Sequence, residues 1–218
     1  MDLNNPITAV IPSLEGRVLQ VLARTSMPLS GSRVATLIPS ASNPGVRNAI
    51  GRLEMQGLVT SRPAPPAVLY VANRRHLLWP AIDQLMRSVD GVLQALTDLI
   101  ASVVRDELGA DEAHDTTVAL FGSTARGDNR PDSDIDLLLV TRSGEDTDDR
   151  ISSLIVQLIT QVQDATGNET NVYATSRSRL DDLVTNDDPM VASWRTDART
   201  LVGPDVVARL NGAPWPAS

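Results

Sequence analysis

Two apolar runs on either side of a glycine-serine turn most constrain the fold of this chain. The first run, residues 118–121, stops at Gly122 and Ser123, which is typical of a buried strand that ends in a tight turn. The second run begins with Asp134 and Asp136. Because strand side chains alternate between faces, both carboxylates are predicted to project from one face, while the apolar residue between them points to the other.

The chemistry of these residues indicates a site for a metal ion and a phosphate group. Asp134 and Asp136 repel each other at the start of a strand, and a divalent cation that prefers oxygen ligands, such as Mg²⁺, would relieve this repulsion. Gly122 allows the backbone to approach a ligand closely, and Ser123 with neighbouring N–H groups can hold phosphate oxygens. Together they predict phosphoryl or nucleotidyl transfer. A surface turn followed by an acidic strand is the structural alternative.

This stretch resembles the nucleotidyltransferase superfamily that includes DNA polymerase β, and most closely its minimal nucleotidyltransferase branch. The matching residues are Gly122, Ser123, Arg126, Gly127, Asp134 and Asp136. The resemblance implies a two-metal Mg²⁺ site on Asp134 and Asp136, a nucleoside triphosphate substrate that we expect to be ATP, and transfer of a nucleoside monophosphate to a hydroxyl acceptor. It also implies that Arg126 neutralises phosphate charge, with a surface arginine on a short helix as the near-equal alternative.

The family places a third carboxylate on a following strand, and this chain departs from that pattern. The matching position on the predicted strand 169–175 is Asn171, and Glu169 lies two residues before it on the same face. We therefore predict Glu169 as the third catalytic carboxylate. The alternative is a solvated Glu169 at the start of the strand, in a site that has become a nucleotide sensor.

Composition excludes several other kinds of site. The chain has no cysteine, which rules out disulfides, thiolate zinc sites and cysteine nucleophiles. Every basic residue is arginine, so no mechanism can use a catalytic lysine. The two histidines, His76 and His114, are far apart in sequence, which argues against a histidine metal site. No segment has the pattern of a secretion signal or the length of a membrane span, so we expect a cytoplasmic protein without a membrane partner.

Residues 1–75 differ from the rest of the chain in charge and pattern. They carry eight arginines against three acidic residues, whereas the remainder is strongly acidic. Three helical patterns followed by two short strands resemble a winged helix-turn-helix, with residues 44–56 as the recognition helix. The side chains predicted to contact DNA are Arg47, Asn48, Arg52 and Arg62. The alternative is a winged-helix unit that makes protein contacts.

A long apolar stripe follows this basic segment. It predicts one connecting helix over residues 76–109 that packs on the following sheet, on a second subunit, or on both. The predicted fold class is α+β multidomain, with a winged helix-turn-helix at 1–75, the connecting helix, and a nucleotidyltransferase α/β core with a small mixed sheet at 110–218. Residues 141–150 are predicted to form a solvated loop. A helix-mediated homodimer would suit paired DNA half-sites.

The whole chain resembles prokaryotic proteins that join a winged helix-turn-helix to a C-terminal minimal nucleotidyltransferase domain. Related proteins include antitoxins that transfer AMP to a partner toxin, so a protein acceptor or toxin partner stays open beside a nucleoside triphosphate and double-stranded DNA. We predict a Mg²⁺-dependent nucleotidyltransferase coupled to a DNA-binding module. The alternative is a non-catalytic transcription regulator whose nucleotidyltransferase domain senses a nucleotide or mediates dimerisation.

Overall fold

The computed structural model describes residues 1–39, 41–128, 130–143 and 148–215. The chain divides into two compact units, of which one spans Asn5–Val92 and the other joins Met1–Asn4 to the residues from Leu93 onward. Residues 144–147 of the predicted loop lie outside the described residues. Within the described ranges, no helix combines the length and the apolar character needed to cross a membrane.

The unit Asn5–Val92 packs helices around a small antiparallel sheet. Its elements are α1 (Ile7–Val10), α2 (Leu14–Ala23), β1 (Leu29–Ser30), α3 (Gly31–Thr36), α4 (Asn43–Met55), β2 (Val59–Ala64), β3 (Ala67–Ala72) and α5 (Trp79–Asp90). The strand order is β1-β3-β2, with Thr60 opposite Val71 in the hairpin. The helices α2 to α4 and this hairpin lie where the sequence predicted three helices and two strands.

Side-chain caps explain where two of these helices begin. Ser30 accepts a hydrogen bond from the Arg33 backbone N–H at the start of α3. Ser42 accepts one from the Gly45 N–H at the start of α4. Pro44 lies in the first turn of α4, where no intrahelical hydrogen bond needs its missing N–H. Local sequence therefore sets the start of α4, the helix predicted to face DNA.

The prediction of a single connecting helix over residues 76–109 is wrong. The structure has two helices here, α5 and α6 (Val92–Asp115), separated at Gly91. The apolar stripe is continuous in sequence, but its two halves pack in different cores. The apolar face of α5 packs in the core of the first unit, and the apolar face of α6 packs in a core of the second unit. The buried residues are Met86 and Val89 in α5, and Leu96, Ile100, Val103 and Val104 in α6.

Gly109 ends the first helical segment of α6, as the predicted boundary at residue 109 implies, and a second segment follows across a kink. Its backbone has φ 81° and ψ 166°, a conformation that is open almost only to glycine. The second segment continues to Asp115, beyond the predicted end of the connecting helix.

The second unit continues from α6 into a four-stranded sheet covered by helices. Its elements are β4 (Thr117–Phe121), α7 (Gly122–Arg126), β5 (Ile135–Thr141), α8 (Asp149–Thr166), β6 (Thr170–Ser176), α9 (Arg177–Thr185), α10 (Pro189–Asp197), β7 (Arg199–Val202) and α11 (Val206–Leu210). The strand order is β6-β5-β4-β7; β5 and β6 are parallel and the other pairs are antiparallel. This confirms the predicted small mixed sheet.

Alternation along β5 gives this sheet two apolar faces. Leu137 and Leu139 pack in the cluster that contains α6 and α8. Leu138 and Val140 pack in the cluster formed with α9, α10 and α11. Asp136 lies two positions before Leu138, so it projects from the same face as Leu138, near the start of β5.

Candidate functional site

The turn after β4 brings its backbone against a carboxylate. Gly122 has φ +73°, and a Cβ atom built on it would lie 2.5 Å from Asp136 Oδ2. Both the positive φ and the missing space exclude other side chains at this position. The backbone of the turn therefore lies directly beside Asp136.

The two predicted metal ligands meet at the adjoining strand ends. The sheet register places Asp136 opposite Phe121 of β4 on one side and opposite Asn171 of β6 on the other. The Asn171 amide nitrogen donates to Asp134 Oδ2 at 3.3 Å and to Asp136 Oδ1 at 3.2 Å. Three side chains thus converge at one point, and a neutral donor offsets part of the repulsion between the two carboxylates.

Three hydrogen bonds that sequence reasoning missed hold this end of the sheet. Thr124 Oγ1 in α7 donates to the Asp134 carbonyl at 3.2 Å. The Ile135 N–H donates to the Glu169 carbonyl at 2.8 Å. The buried Asn168 amide donates to the Ser133 carbonyl at 2.8 Å. These bonds fix the segment that delivers Asp134, but their partners are distant in sequence, so no local pattern could have revealed them.

Glu169 contributes its backbone carbonyl, and not its side chain, to this end of the sheet. It lies just before β6, its side chain is exposed, and Asn171 occupies the position between the strands that a third carboxylate would fill. Within the part of the chain that the structure describes, no group of three or more His, Asp or Glu side chains is placed to hold a metal ion. The structure therefore brings together Asp134, Asp136 and Asn171, and it does not join Glu169 to them.

The donor set fits a single Mg²⁺ ion. Asp134 and Asp136 offer carboxylate oxygens beside each other, which are the ligands this ion prefers. The Asn171 amide also carries a carbonyl oxygen, which rotation of the amide group would turn towards the same point. A second ion would need a further carboxylate that the described residues do not place there.

Ser123 and Arg126 lie on the short helix that follows the glycine. Within the described residues, Ser123 Oγ has no hydrogen-bond partner and is half-buried, so it is available to a ligand. Arg126 is instead held by two acids: its Nη1 donates to Asp197 Oδ2 at 2.7 Å, and its Nε to Asp128 Oδ2 at 3.4 Å. The hydrogen bond to Asp197 raises the pKa of Arg126 above its ordinary value.

The side chains predicted to contact DNA lie on α4 and β2. Arg47 and Asn48 are exposed on α4, and Arg62 is exposed on β2. Arg52 on α4 is ion-paired with Glu15 of α2, and this hydrogen bond lowers the pKa of Glu15 below its ordinary value. Arg52 therefore differs from Arg47 and Arg62, which form no ion pair among the described residues.

A family model matches part of the second unit. Residues 101–185 match the family model of the nucleotidyltransferase domain. The match begins within α6, before the predicted domain start at residue 110, and ends with α9. Comparison with curated protein sequences gives no significant match. The nucleotidyltransferase family is thus supported for the part of the chain that carries Gly122, Asp134 and Asp136.

Solved structures show only distant similarity. A toxin-antitoxin crystal structure with AMP-PNP aligns over 53% of this chain and 83% of that chain, at 16% identity and a TM-score of 0.36. A mutant of the toxin-antitoxin MntA-HpeT aligns over 51% and 80%, at 16% identity and a TM-score of 0.33. TrmBL2, an archaeal chromatin protein with a novel mode of DNA binding, aligns over 88% and 78%, at 14% identity and a TM-score of 0.30. Similarity at this level assigns no function.

Proposed function

We propose that the protein is a Mg²⁺-dependent nucleotidyltransferase that moves a nucleoside monophosphate from a nucleoside triphosphate, expected to be ATP, to a hydroxyl group. One observation carries this proposal. The backbone of Gly122 lies against Asp136 within a region that matches the nucleotidyltransferase domain. The Asn171 amide donates a hydrogen bond to Asp136 and another to Asp134, so the two carboxylates lie close together. A phosphate-binding turn and a metal-binding carboxylate pair are thereby adjacent.

Each residue has a defined task in this proposal. Asp134 and Asp136 hold Mg²⁺, which neutralises phosphate charge when it is bound. The Gly122 N–H and Ser123 Oγ donate hydrogen bonds to the outer phosphates. The acceptor oxygen forms a bond to the α-phosphorus, the bond from that phosphorus to the bridging oxygen breaks, and pyrophosphate leaves. A base must also accept the acceptor's proton. For Glu169 to do so, as the sequence predicts, its exposed side chain would have to turn towards Asp134 and Asp136.

A comparison of two sets of aspartate variants tests the site. In Asp134→Asn with Asp136→Asn we expect the affinity of the full chain for Mg²⁺–ATP to fall about 100-fold or more, because both metal ligands lose their charge. Asp132→Asn is the matched control, since Asp132 is an exposed acid of the same loop. Calorimetry gives the affinities, and equal values for the double variant and the wild type would rule out the metal site.

A second candidate function is a nucleotide sensor without turnover. It is favoured by the Asn171 amide, which occupies the place of a third carboxylate and donates to both aspartates. Labelled nucleotide released or transferred by the wild type would support the enzyme, and Glu169→Gln should then abolish that transfer. Nucleotide binding without transfer, together with turnover gained in Asn171→Asp, would support the sensor.

We further propose that residues 1–75 form a winged helix-turn-helix that binds double-stranded DNA, with α4 as the recognition helix and the β2-β3 hairpin as the wing. The order of helices and strands and the exposed Arg47, Asn48 and Arg62 support this proposal. Binding should weaken strongly with salt, because phosphate contacts release counterions. If the full chain does not retard DNA at low salt, α4 instead serves protein contacts.

The acceptor and the assembly also belong to the proposal. A hydroxyl on a partner protein, including a toxin, would carry the label after incubation with labelled ATP, whereas a small-molecule acceptor would leave all protein bands unlabelled. A homodimer is expected because paired half-sites need two recognition helices. Sedimentation of the full chain decides this, and a monomer at all concentrations would contradict it.

A further inference from the structure

Helix α10 contacts both ends of the short helix that carries the proposed phosphate turn. Trp194 packs edge-to-face on Phe121, the residue just before Gly122, with ring centroids 6.1 Å apart. One turn later, Asp197 accepts the hydrogen bond from Arg126, the residue just before Gly127. The five residues of α7 are thus bracketed by two side chains of one helix.

The position of α10 is itself well fixed. The Trp194 side chain is 1% exposed and also packs on Tyr173 of β6, at a centroid distance of 5.2 Å. Asp188 caps the start of the helix by accepting from the Met190 N–H. A rigid helix can hold a carboxylate at a defined place, which a flexible loop cannot do.

The burial of the Asp197 carboxylate is energetically unfavourable. Its side chain is only 3% exposed, and within the described residues its Oδ1 has no hydrogen-bond partner. A buried carboxylate that is only partly paired costs more than an apolar residue of similar size, so it adds little to stability by itself. Its ionic partner in the described part of the chain, Arg126, is 45% exposed and lies at the candidate site.

Among the described residues, the contacts of Arg126 leave part of its guanidinium group without a partner. A guanidinium has five N–H donors in one plane, and the structure uses one towards Asp197 and one towards Asp128. Because the guanidinium is planar, fixing its Nε and Nη1 donors also orients the remaining donors as a set. Such a preset plane suits phosphate oxygens better than a mobile side chain does, because less conformational entropy is lost on binding.

We propose that Asp197 is a positioning residue, and that α10 acts through it and through Trp194 as a clamp that holds Arg126 and the α7 turn in place for the phosphates of the nucleotide. The inference rests on the proposed nucleotidyltransferase function. It concerns a helix outside residues 101–185, so the family match does not supply it. Sequence reasoning assigned Arg126 to the nucleotide and did not find the residue that orients it.

A double-mutant cycle on the full chain tests the clamp. Asp197→Asn keeps the shape of the side chain but removes its charge, and we expect Mg²⁺–ATP affinity to fall about 10- to 100-fold, the equivalent of one charge-assisted hydrogen bond. The same substitution in an Arg126→Gln background should have no further effect. Asp128→Asn is the matched control, because Asp128 is an exposed acid on the same guanidinium, and its effect should stay below about threefold. Additive effects of Asp197→Asn and Arg126→Gln would overturn the proposal.

Hydrogen exchange separates failure of the clamp from failure of the proposed function. The amide N–H groups of Gly127 and Asp128 both donate to the Ser123 carbonyl, so they report on α7 without any nucleotide. Their exchange should become about tenfold faster in Asp197→Asn and, if that variant does not fold, in Arg126→Gln. Unchanged exchange in both variants overturns the clamp even if ATP binds. A wild type that binds no nucleotide overturns the proposed function and the phosphate role of Arg126, whereas the exchange still decides whether α10 holds the turn.

Discussion

In the unit Asn5–Val92, nine arginines stand against four acidic residues, whereas the unit that contains the nucleotidyltransferase match has ten arginines against twenty-three acidic residues. The second unit uses several of its arginines internally. Each of these is ion-paired with an acidic residue: Arg126, Arg142, Arg150, Arg177 and Arg209. In the first unit, Arg33, Arg47 and Arg62 form no ion pair among the described residues.

Arginine thus serves two purposes in this chain. A paired arginine links two elements, as Arg177 and Arg142 do when they meet Asp115. Burial alone would raise the pKa of Asp115, but the two arginines outweigh burial and lower it. An unpaired, exposed arginine leaves its donors available to phosphate groups outside the chain. Ion pairing therefore indicates which arginines hold the fold and which are open to a partner.

The largest expected effect comes from removing unpaired arginines. In Arg47→Gln with Arg62→Gln, DNA affinity should fall by about 2–6 kcal/mol, because base contacts are worth about 1–3 kcal/mol each. The salt dependence of binding should also become weaker, because the variant removes two positive charges that attract the DNA phosphates. The paired Arg24→Gln with Arg87→Gln is the matched control in the same unit. Fluorescence anisotropy at several salt concentrations measures the affinity and its salt dependence. An equal loss in the control would contradict a special role for the unpaired arginines.

A third acid at the candidate site should have the next largest effect. Asn171→Asp replaces two hydrogen bonds to aspartates with repulsion between three carboxylates. Without Mg²⁺ we expect the free energy of unfolding to fall by about 2–4 kcal/mol. Added Mg²⁺ should restore most of this loss, because it binds the folded state. Asn171→Ala is the control, because it loses the hydrogen bonds without adding charge. Denaturant unfolding with and without Mg²⁺ gives the values, and identical responses of the two variants would contradict a metal site.

Substitution of Gly122 should have a smaller effect on stability. Alanine at φ +73° is strained, and its Cβ would also meet the Asp136 carboxylate, so Gly122→Ala should cost about 1–3 kcal/mol. Gly167→Ala is a matched control, since Gly167 has φ +74° and open space around it. The difference between their unfolding free energies measures the close approach alone. Equal costs would show that the turn can move away from Asp136.

The smallest expected effect concerns the ion pair between Glu15 and Arg52. The hydrogen bond from Arg52 lowers the folded-state pKa of Glu15, so the pair stabilises the protein above the ordinary carboxyl pKa and this contribution is lost as the pH falls through the lowered value. Glu15→Gln should cost less than about 1 kcal/mol at pH 7. The cost should vanish under acidic conditions. A pH series of thermal melts measures this, and a cost that grows towards low pH would contradict the assignment.

Several features of the fold and of the candidate site depend only on local sequence. The apolar run that ends at a glycine and the alternation of Asp134 and Asp136 depend on neighbours within a few residues, so the sequence predicted them. The family match to residues 101–185 supports the resemblance that rested on this pattern. Roles of the individual site residues stay predictions that the proposed substitutions address.

Tertiary structure decided what depends on distant partners. A continuous apolar stripe could not reveal that its two halves, α5 and α6, serve different cores, because periodicity reports a buried face and not what covers it. The pairing of Arg126 with Asp197 joins residues 71 positions apart, and the Asn171 hydrogen bonds cross from β6 to the start of β5. Alternation fixes which face a side chain takes, but strand register and helix packing fix which side chains meet, and these are set by the whole core.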